Sequence, residues 1–388
     1  MDLIFPLYNE IMSSTNDIQN ITVTNWFKKN DEQWCKYLNI KQVYHEAFPL
    51  NFLNNISTFD LDAFKKNPNH QFVYDKLFVT QSQDIQSGLL TDIHKLDKIP
   101  YPIFIKPRWG HVTAASKNCY KIKQSKDLIP HLSKPQMMWS EFINANEGMT
   151  DFVLENGKII YQLTYEYSPT QKVFADDWKY IDANNKPPDK IVQWVTKHLP
   201  NYTGPVNIQY RDDIIIEVSL RFARRGSYLK STDNGFLIEN INSLLGNPYQ
   251  FQWRNDPQQT TNFKSFYSFK CWSPYKLFYI LPNKIMEYIV QKTGGKPFFE
   301  YYFEPTGNNG TVFFQFQHVN YQHGLLVKDF IEILMIACQF LFILFVFISI
   351  YLITDKKTET TGYCLLTIVF LLYLTTFLNS YHHYSKIL

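Results

Sequence analysis

Short apolar runs of strand length, separated by turn residues, dominate the chain between about residues 100 and 221. The run Tyr101–Pro107 is stopped by proline and predicts a strand that carries Lys106 near its end. Farther along, Asn156 and Gly157 lie between two apolar runs, which is a strong signal for a tight β-hairpin. This part of the chain is therefore predicted to be built from strands and hairpins.

A second predicted hairpin, Pro205–Arg221, carries a row of polar residues. Its turn lies at Arg211–Asp213. Period-two alternation divides the second strand into a face with Ile214, Ile216 and Val218 and a face with Ile215, Glu217, Ser219 and Arg221. Cross-strand pairing lets Gln209, on the first strand, face the same polar row. A half-buried hairpin with one polar face is the alternative interpretation.

A helical period lies between residues 186 and 199, just before that hairpin. Proline followed by Asp189 is a helix start signal. One helical face then carries four apolar residues, Ile191, Trp194, Val195 and Leu199. The pattern predicts an amphipathic helix that packs its apolar face against the rest of the fold.

The C-terminal part of the chain has a different pattern, with two long uncharged stretches. The 22 residues of Ile333–Thr354 carry no charge and would extend about 33 Å as a helix, which is enough to cross a bilayer. A polar link, Asp355–Thr361, separates them from a second uncharged run, Tyr363–Tyr381. We predict a two-helix transmembrane hairpin with spans at about 331–354 and 363–381. A buried helical hairpin in a soluble core is the alternative.

Composition narrows the possible classes of protein. A net charge of +3 gives no argument for nucleic acid as a partner. The five cysteines are scattered, so they indicate neither a zinc site nor a disulfide framework, in agreement with a reducing compartment. No basic region followed by an apolar stretch opens the sequence, so a cleaved signal peptide is not expected. The aromatic-rich stretch from 247 to 327 suits core strands, substrate stacking or a membrane interface.

Several short motifs in the strand-rich region occur in an order that resembles the ATP-grasp family. The similarity is to the ATP-binding domains of carbamoyl phosphate synthetase and related carboxylate–amine ligases, and it covers about Val73–Gly246. It begins with the Asp-Lys pair at 75 and 76 and continues with the Lys-Pro strand at 106 and 107. The remaining matches are the hinge residues Glu141, Glu147 and Asp151, and the closing residues Gln209, Glu217, Ser219 and Arg221.

The resemblance implies an α+β ATP-grasp fold in which two α+β lobes clasp ATP. It implies that Lys106 contacts the ATP phosphates, that Glu141 and the backbone near Ile143 hold the adenine, and that Glu147 binds the ribose. The Mg²⁺ ligands that it implies are Gln209, Glu217 and, where the family has asparagine, Ser219. Arg221 would stabilise charge on the transferred phosphoryl group or the acyl phosphate, so Arg221 and Lys106 are the predicted catalytic residues.

The reaction that the resemblance implies is phosphorylation of a small-molecule carboxylate by ATP, followed by attack of an amine or similar nucleophile on the acyl phosphate. Two departures from the family's pattern favour an alternative. Ser219 replaces the asparagine ligand, and the predicted phosphate loop Arg108–Ser116 contains only Gly110 where the family has several glycines. The alternative is a catalytically weak or inactive membrane scaffold that binds nucleotide without turnover.

Three domains and a membrane orientation follow from these expectations. A reduced α/β domain is predicted at 1–72, the ATP-grasp domain at 73–327 with a central lobe at about 100–165, and the transmembrane hairpin at 328–388. Two crossings of the lipid bilayer return the chain to its starting side. Because ATP is cytosolic, we expect the large domain in the cytoplasm. Four glycosylation sequons would instead suit a lumenal domain, at Asn20, Asn55, Asn201 and Asn309.

Overall fold

A computed structural model describes residues 56–57, 59–112, 118–169, 171–172, 175–182, 184–226, 228–229, 236–246, 265–274, 280–298 and 311–387. These residues belong to two compact units. The first unit contains residues 56–169 and 181–246, and the second contains 171–180 and 265–387. Most of the small domain predicted at 1–72 lies outside the described residues.

The described chain has α+β content. Its strands are β1 (Ser87–Leu89), β2 (Ile103–Pro107), β3 (Tyr120–Ile122), β4 (Met137–Glu141), β5 (Glu147–Glu155), β6 (Lys158–Tyr167), β7 (Gln171–Lys172), β8 (Ala175–Asp176), β9 (Trp178–Asp182), β10 (Gly204–Arg211), β11 (Ile214–Ser219), β12 (Phe266–Ser273), β13 (Lys296–Pro297) and β14 (Thr311–His318). Its helices are α1 (Asp60–Lys66), α2 (Lys76–Gln81), α3 (Ser125–Leu128), α4 (Asp189–His198), α5 (Leu237–Gly246), α6 (Asn283–Lys292), α7 (Tyr321–Thr354) and α8 (Glu359–Ile387).

Two antiparallel arrangements of strands form the first unit. A four-stranded sheet has the order β1-β4-β2-β3, and its core includes Ile103, Ile105 and Trp139. The strands β11-β10-β5-β6 form the second arrangement. Helix α4 packs on this second arrangement through the four apolar residues that the sequence predicts, so the predicted helix and its buried face are confirmed.

Both predicted hairpins are present. Asn156 and Gly157 connect β5 to β6 with φ of 48° and 78°, the positive values that a tight turn of this kind requires. Gly157 also passes close to Pro200, since a Cβ added there would lie 2.2 Å from the Pro200 carbonyl oxygen. The second hairpin joins β10 to β11 through a turn in which Asp212 has φ of 51°.

The predicted division of β11 into two faces is wrong for the residues before Glu217. Gln209 pairs with Glu217 while the next residue, Tyr210, pairs with Ile215, so Ile216 has no partner in β10. This β-bulge turns Ile215 to the same side as Val218, and both are buried in one apolar core. Strict alternation had placed Ile215 with Glu217. An extra residue in one strand reverses the face of every residue before it, which alternation alone does not predict.

The second unit contains the strands β12-β14-β13 and the helices α6, α7 and α8. Strand β12 pairs antiparallel with β14, and β14 pairs with β13. The first part of α7 packs on these strands so closely that a Cβ at Gly324 would lie 2.1 Å from the ring of Phe269. Ile331 and Met335 of α7 share a core with Phe269 and Phe314.

Two long helices lie where the apolar stretches predict them. Helix α7 has 34 residues and α8 has 29. They contact each other where the Phe342 and Tyr373 ring centroids are 5.5 Å apart and where Gly362 approaches Ile353. By length and composition one helix of the described chain, α7, is able to cross a membrane, and a shorter apolar helical stretch covers Glu359–Thr375.

Candidate functional site

Lys106 connects the two sheets of the first unit. It lies on β2, its side chain is buried, and its Nζ donates a hydrogen bond of 2.9 Å to the Ile216 carbonyl oxygen. Because Ile216 is the bulged residue, it has no partner in β10, and Lys106 supplies the bond to its carbonyl. Burial and, to a smaller extent, the nearby charge of Lys76 together lower the pKa of Lys106 to about 8.

Lys76 and Glu217 complete a charged cluster with Lys106. The Lys76 Nζ lies 3.3 Å from Glu217 Oε2, and the Lys76 side chain is almost fully buried. The backbone of Gly110 passes beside both groups, since a Cβ added there would lie 3.4 Å from Lys76 Cε and 3.6 Å from Glu217 Oε1. The cluster therefore joins three segments that are far apart in the sequence.

Lys76 is held in this position by its neighbours in the chain. Asp75 accepts hydrogen bonds from the Leu77 N–H at 3.0 Å and from Arg108 Nε at 2.8 Å, and the Lys76 N–H donates to the Arg108 carbonyl oxygen at 2.8 Å. The Asp-Lys pair matches only the beginning of the ATP-grasp resemblance, and Lys76 is not among the predicted site residues. That dipeptide was the one signal that pointed to it.

Two of the residues predicted to bind adenine and ribose, Ile143 and Glu147, contact Arg211. Arg211 lies directly across from Glu147 in the register of β10 and β5. Its Nη1 donates to the Ile143 carbonyl oxygen at 3.0 Å, and its Nη2 lies 3.3 Å from Glu147 Oε2. One guanidinium thus engages two acceptors that the resemblance assigns to the nucleotide. Nothing in the sequence pattern singled out Arg211 except its place at the predicted turn.

Glu141 lies at the end of β4 and contacts a different part of the first unit. Its Oε1 accepts a hydrogen bond of 3.0 Å from the Gln86 N–H, and its own N–H donates to the Gln86 carbonyl oxygen at 3.0 Å. The side chain is exposed. Its second carboxylate oxygen therefore remains open to solvent or to a ligand.

Gln209 and Glu217, two of the predicted metal ligands, lie directly opposite each other in β10 and β11. The third, Ser219, is buried and lies opposite Asn207. Among the described residues, no group of three or more His, Cys, Asp or Glu is close enough to hold a metal ion. An amide and a carboxylate side by side still suit Mg²⁺, which takes few protein oxygens and completes its shell with phosphates and water. The donor set therefore fits a magnesium ion that arrives with a nucleotide.

Asp151 fixes the backbone beside Ser219. It accepts hydrogen bonds from Tyr165 Oη at 2.6 Å, from Asn207 Nδ2 at 2.9 Å and from the Ala223 N–H at 2.8 Å. Burial raises the pKa of Asp151 to about 6, and these hydrogen bonds oppose the rise. Asp151 therefore ties β5, β10 and the chain after β11 together, which is a structural role next to the site.

Arg221, the other predicted catalytic residue, contacts the start of α1. Its Nη2 lies 2.5 Å from Asp60 Oδ2, and its Nη1 donates to the Phe222 carbonyl oxygen at 2.9 Å. The structure thus brings Lys106, Gln209 and Glu217 together and joins Ile143 to Glu147 through Arg211. Glu141 instead contacts the backbone of Gln86, and Arg221 forms an ion pair with Asp60. Residues 113–117, the later part of the predicted phosphate loop, lie outside the described residues.

Comparisons with known proteins give matches only among solved structures. No protein-family model matches this chain, and neither does any curated protein. An L-amino acid ligase from Bacillus licheniformis matches with TM-score 0.47 and 14% identity, over 69% of this chain and 75% of that one. The N5-carboxyaminoimidazole synthetase from Staphylococcus aureus, complexed with ADP, matches with TM-score 0.47 and 14% identity, over 72% and 78%. By their names, these two proteins are a ligase and a synthetase.

Proposed function

We propose that this chain is a membrane-anchored, ATP-dependent ligase that activates a carboxylate as an acyl phosphate for attack by an amine or similar nucleophile. The observation that carries the proposal is the cluster of Lys76, Lys106 and Glu217. Two buried ammonium groups beside one carboxylate, with an amide oxygen donor in the adjacent strand, have the chemistry to receive a polyphosphate and its cation.

Each residue of the cluster takes a role that follows from its chemistry. Lys106 and Lys76 bind phosphate oxygens as compact cations held by rigid surroundings. Glu217 and Gln209, with Ser219 beside them, would hold Mg²⁺. Bound Mg²⁺ supplies charge neutralisation on the phosphates.

The base and ribose of ATP would occupy the region of Glu141, Ile143 and Glu147. Two of these acceptors engage Arg211 in the structure, so nucleotide binding has to compete with that guanidinium. Arg221, the residue proposed to stabilise the transferred phosphoryl group, likewise has to break its ion pair with Asp60 or move together with Asp60. Both contacts are only partly buried, so exchange with a ligand is feasible.

The proposed reaction needs no nucleophilic side chain from the protein. A carboxylate oxygen of the first substrate bonds to the γ-phosphorus of ATP while the bond to the β-phosphate oxygen breaks, giving an acyl phosphate and ADP. The amine then bonds to the acyl carbon, phosphate leaves, and the amine loses a proton. Lys106, Lys76 and Arg221 position the reacting groups and stabilise negative charge, which is how phosphoryl transfer is mainly catalysed.

A second candidate function is a membrane scaffold that retains the fold and binds nucleotide weakly or without turnover. Two observations favour it: Arg211 engages the predicted nucleotide acceptors, and Arg221 is paired with Asp60. Replacing Glu217 with glutamine separates the two candidates. An enzyme loses ADP release in this variant while its fold persists, whereas a scaffold keeps its function in cells.

The membrane part of the proposal places spans at about 331–354 and 363–381 in a lipid bilayer, with the large domain in the cytoplasm. Large apolar side chains such as Phe340, Phe347 and Tyr351 are exposed along α7, as a lipid-facing helix requires. Within the helices, the Ser349 hydroxyl donates to the Phe345 carbonyl oxygen and the Thr367 hydroxyl donates to the Tyr363 carbonyl oxygen, each one turn back. These two polar groups are thus satisfied inside their own helices.

Nucleotide binding by the full-length protein in detergent tests the ligase proposal. A ligand that binds only the folded state raises the melting temperature, and a ligand at 100 times its Kd adds about 2.7 kcal/mol. We expect Mg²⁺-ATP to raise the melting temperature of the wild type and not of Lys106→Ala. Lys95→Ala is the matched control, because Lys95 is exposed and pairs only with Asp92 in the described contacts. A folded wild type with no shift at millimolar Mg²⁺-ATP contradicts the proposal.

A further inference from the structure

The part of α7 that is free of the sheet is too short to cross a bilayer. The predicted first span begins at about residue 331, yet Ile331 and Met335 belong to the core of the second unit. One turn later, Gln339 Nε2 donates a hydrogen bond of 2.7 Å to Ser273 Oγ at the end of β12. Only residues 340–354 remain beyond this contact, and they extend about 22 Å. The hydrocarbon core of a bilayer is about 30 Å thick.

The missing length has to come from residues that already contact the sheet. Counting back about 20 residues from Asp355, which begins the polar link, places the hydrocarbon boundary near Met335. The contact between Gln339 and Ser273 then lies inside that boundary. Tilting α7 makes the mismatch larger, because a tilted helix covers less of the bilayer thickness.

Several polar groups at this depth are paired with one another. Gln339 and Ser273 are both buried and bond to each other. The last charged residue before the boundary, Glu332, accepts a hydrogen bond of 2.8 Å from the Trp272 N–H and lies 2.9 Å from Lys328 Nζ. The end of β12 is thus supplied with side-chain partners by α7 itself.

The outward face of α7 continues toward the sheet as an apolar surface. Leu326 is 66% exposed, Phe330 is 54% exposed and Ile333 is 66% exposed. These residues share a helical face with Phe340 and Phe347, which follow Ile333 at intervals of seven residues. This strip therefore begins about one turn before the predicted span and is apolar except for Asp329, whose half-exposed carboxylate lies between Leu326 and Ile333.

We propose that the second unit lies directly against the membrane, with the α7 face of Leu326, Phe330 and Ile333 in contact with lipid and the buried end of β12 at the depth of the hydrocarbon boundary. This inference rests on the membrane part of the proposed function. The occupant of the face is the boundary between headgroups and acyl chains, because the face is continuous with the side of the span that meets lipid. This position of the second unit also supplies the membrane-spanning length that residues 340–354 lack.

Photo-crosslinking of the full-length protein in phosphatidylcholine vesicles tests this inference. Benzoylphenylalanine is placed singly at Leu326, Phe330 and Ile333, where exposed side chains leave room for it. Phe347 is the positive control within the span. Tyr288 of α6 is the negative control, since it is 60% exposed in the same unit but lies off this face. Adducts are identified by their mass.

We expect lipid adducts at Phe330, Ile333 and Phe347 and none at Tyr288, with Leu326 giving a smaller yield near the headgroups. Cross-linked dimers at Phe330 and Ile333 would overturn the inference by assigning the face to a second copy of the chain. Absence of lipid adducts at both positions, with adducts retained at Phe347, would overturn it by holding the unit away from the membrane. No lipid adduct at Phe347 would instead refute the membrane part of the proposed function.

Discussion

The clearest quantitative consequence of the charged cluster concerns the protonation of Lys106. Burial lowers the pKa of its ammonium group from 10.5 to about 8. Below pH 8 this lysine is charged in the folded and the unfolded protein, so the folded state carries the full unfavourable free energy of burying the charge. Between pH 8 and 10.5 the folded protein loses the proton first. The wild type therefore gains stability over this range relative to a variant without the ionisable group.

The size of this gain follows from the same two values. The interval between 10.5 and about 8, at roughly 1.36 kcal/mol per pH unit, corresponds to about 3 kcal/mol. Lys106→Met keeps much of the apolar stem and removes the charge. Although the variant also loses the bond to the Ile216 carbonyl oxygen, that loss is almost the same at every pH. The pH dependence of the difference between the two proteins thus isolates the buried charge.

Thermal melts of both full-length proteins in one detergent, from pH 7 to 10.5, measure this difference. At about 2 °C per kcal/mol for a large domain, the melting temperature of the wild type should rise by about 6 °C relative to that of Lys106→Met across the range. Lys95→Met is the control, because the exposed Lys95 side chain predicts no such gain. A melting-temperature difference that stays constant with pH would refute the buried position of the Lys106 charge.

Three further outcomes follow from the geometry of the first unit. Glu217→Gln should remove Mg²⁺-dependent ADP release, measured by a coupled assay, while changing stability by less than about 1 kcal/mol, because the paired Glu217 carboxylate is 31% exposed; retained ADP release would contradict its metal role. Arg211→Gln should tighten ATP binding in calorimetry by up to about tenfold, since ATP no longer displaces a guanidinium from Glu147; weaker binding would mean that Arg211 itself contacts the nucleotide. Gly157→Ala should lower the free energy of unfolding by more than about 1 kcal/mol and the melting temperature with it, because φ is 78° and Pro200 leaves no space for a Cβ. An unchanged melting temperature would show that this turn rearranges freely.

Elements whose signals are local in the chain were predictable. Asn156 and Gly157 specify the first hairpin because few other residues adopt the required positive φ. The apolar spacing in Asp189–His198 specifies a helix and its buried face because the period of 3.6 residues belongs to the backbone. The order of the motifs from Lys106 to Glu217 also indicated which fold family to expect, since each motif occupies its own strand or turn.

The partners of the site residues were not predictable, because they depend on contacts between distant segments. A one-residue bulge leaves Ile216 without a partner in β10, and Lys106 of the other sheet donates a hydrogen bond to the Ile216 carbonyl oxygen. Lys76 reaches Glu217, and Arg221 reaches Asp60, across more than a hundred residues of chain. A sequence pattern with a fixed period contains no information about such long-range pairs.

The sequence by itself determined the elements of this protein: its hairpins, its amphipathic helix, two long apolar helices and the order along the chain of the candidate site residues. The tertiary structure decided which of those residues meet, that Arg211 rather than solvent engages Ile143 and Glu147, and how far the second unit extends along α7. The physical reason is that local propensity acts over a few residues, while the register of a sheet and the docking of a helix depend on the packing of the whole core.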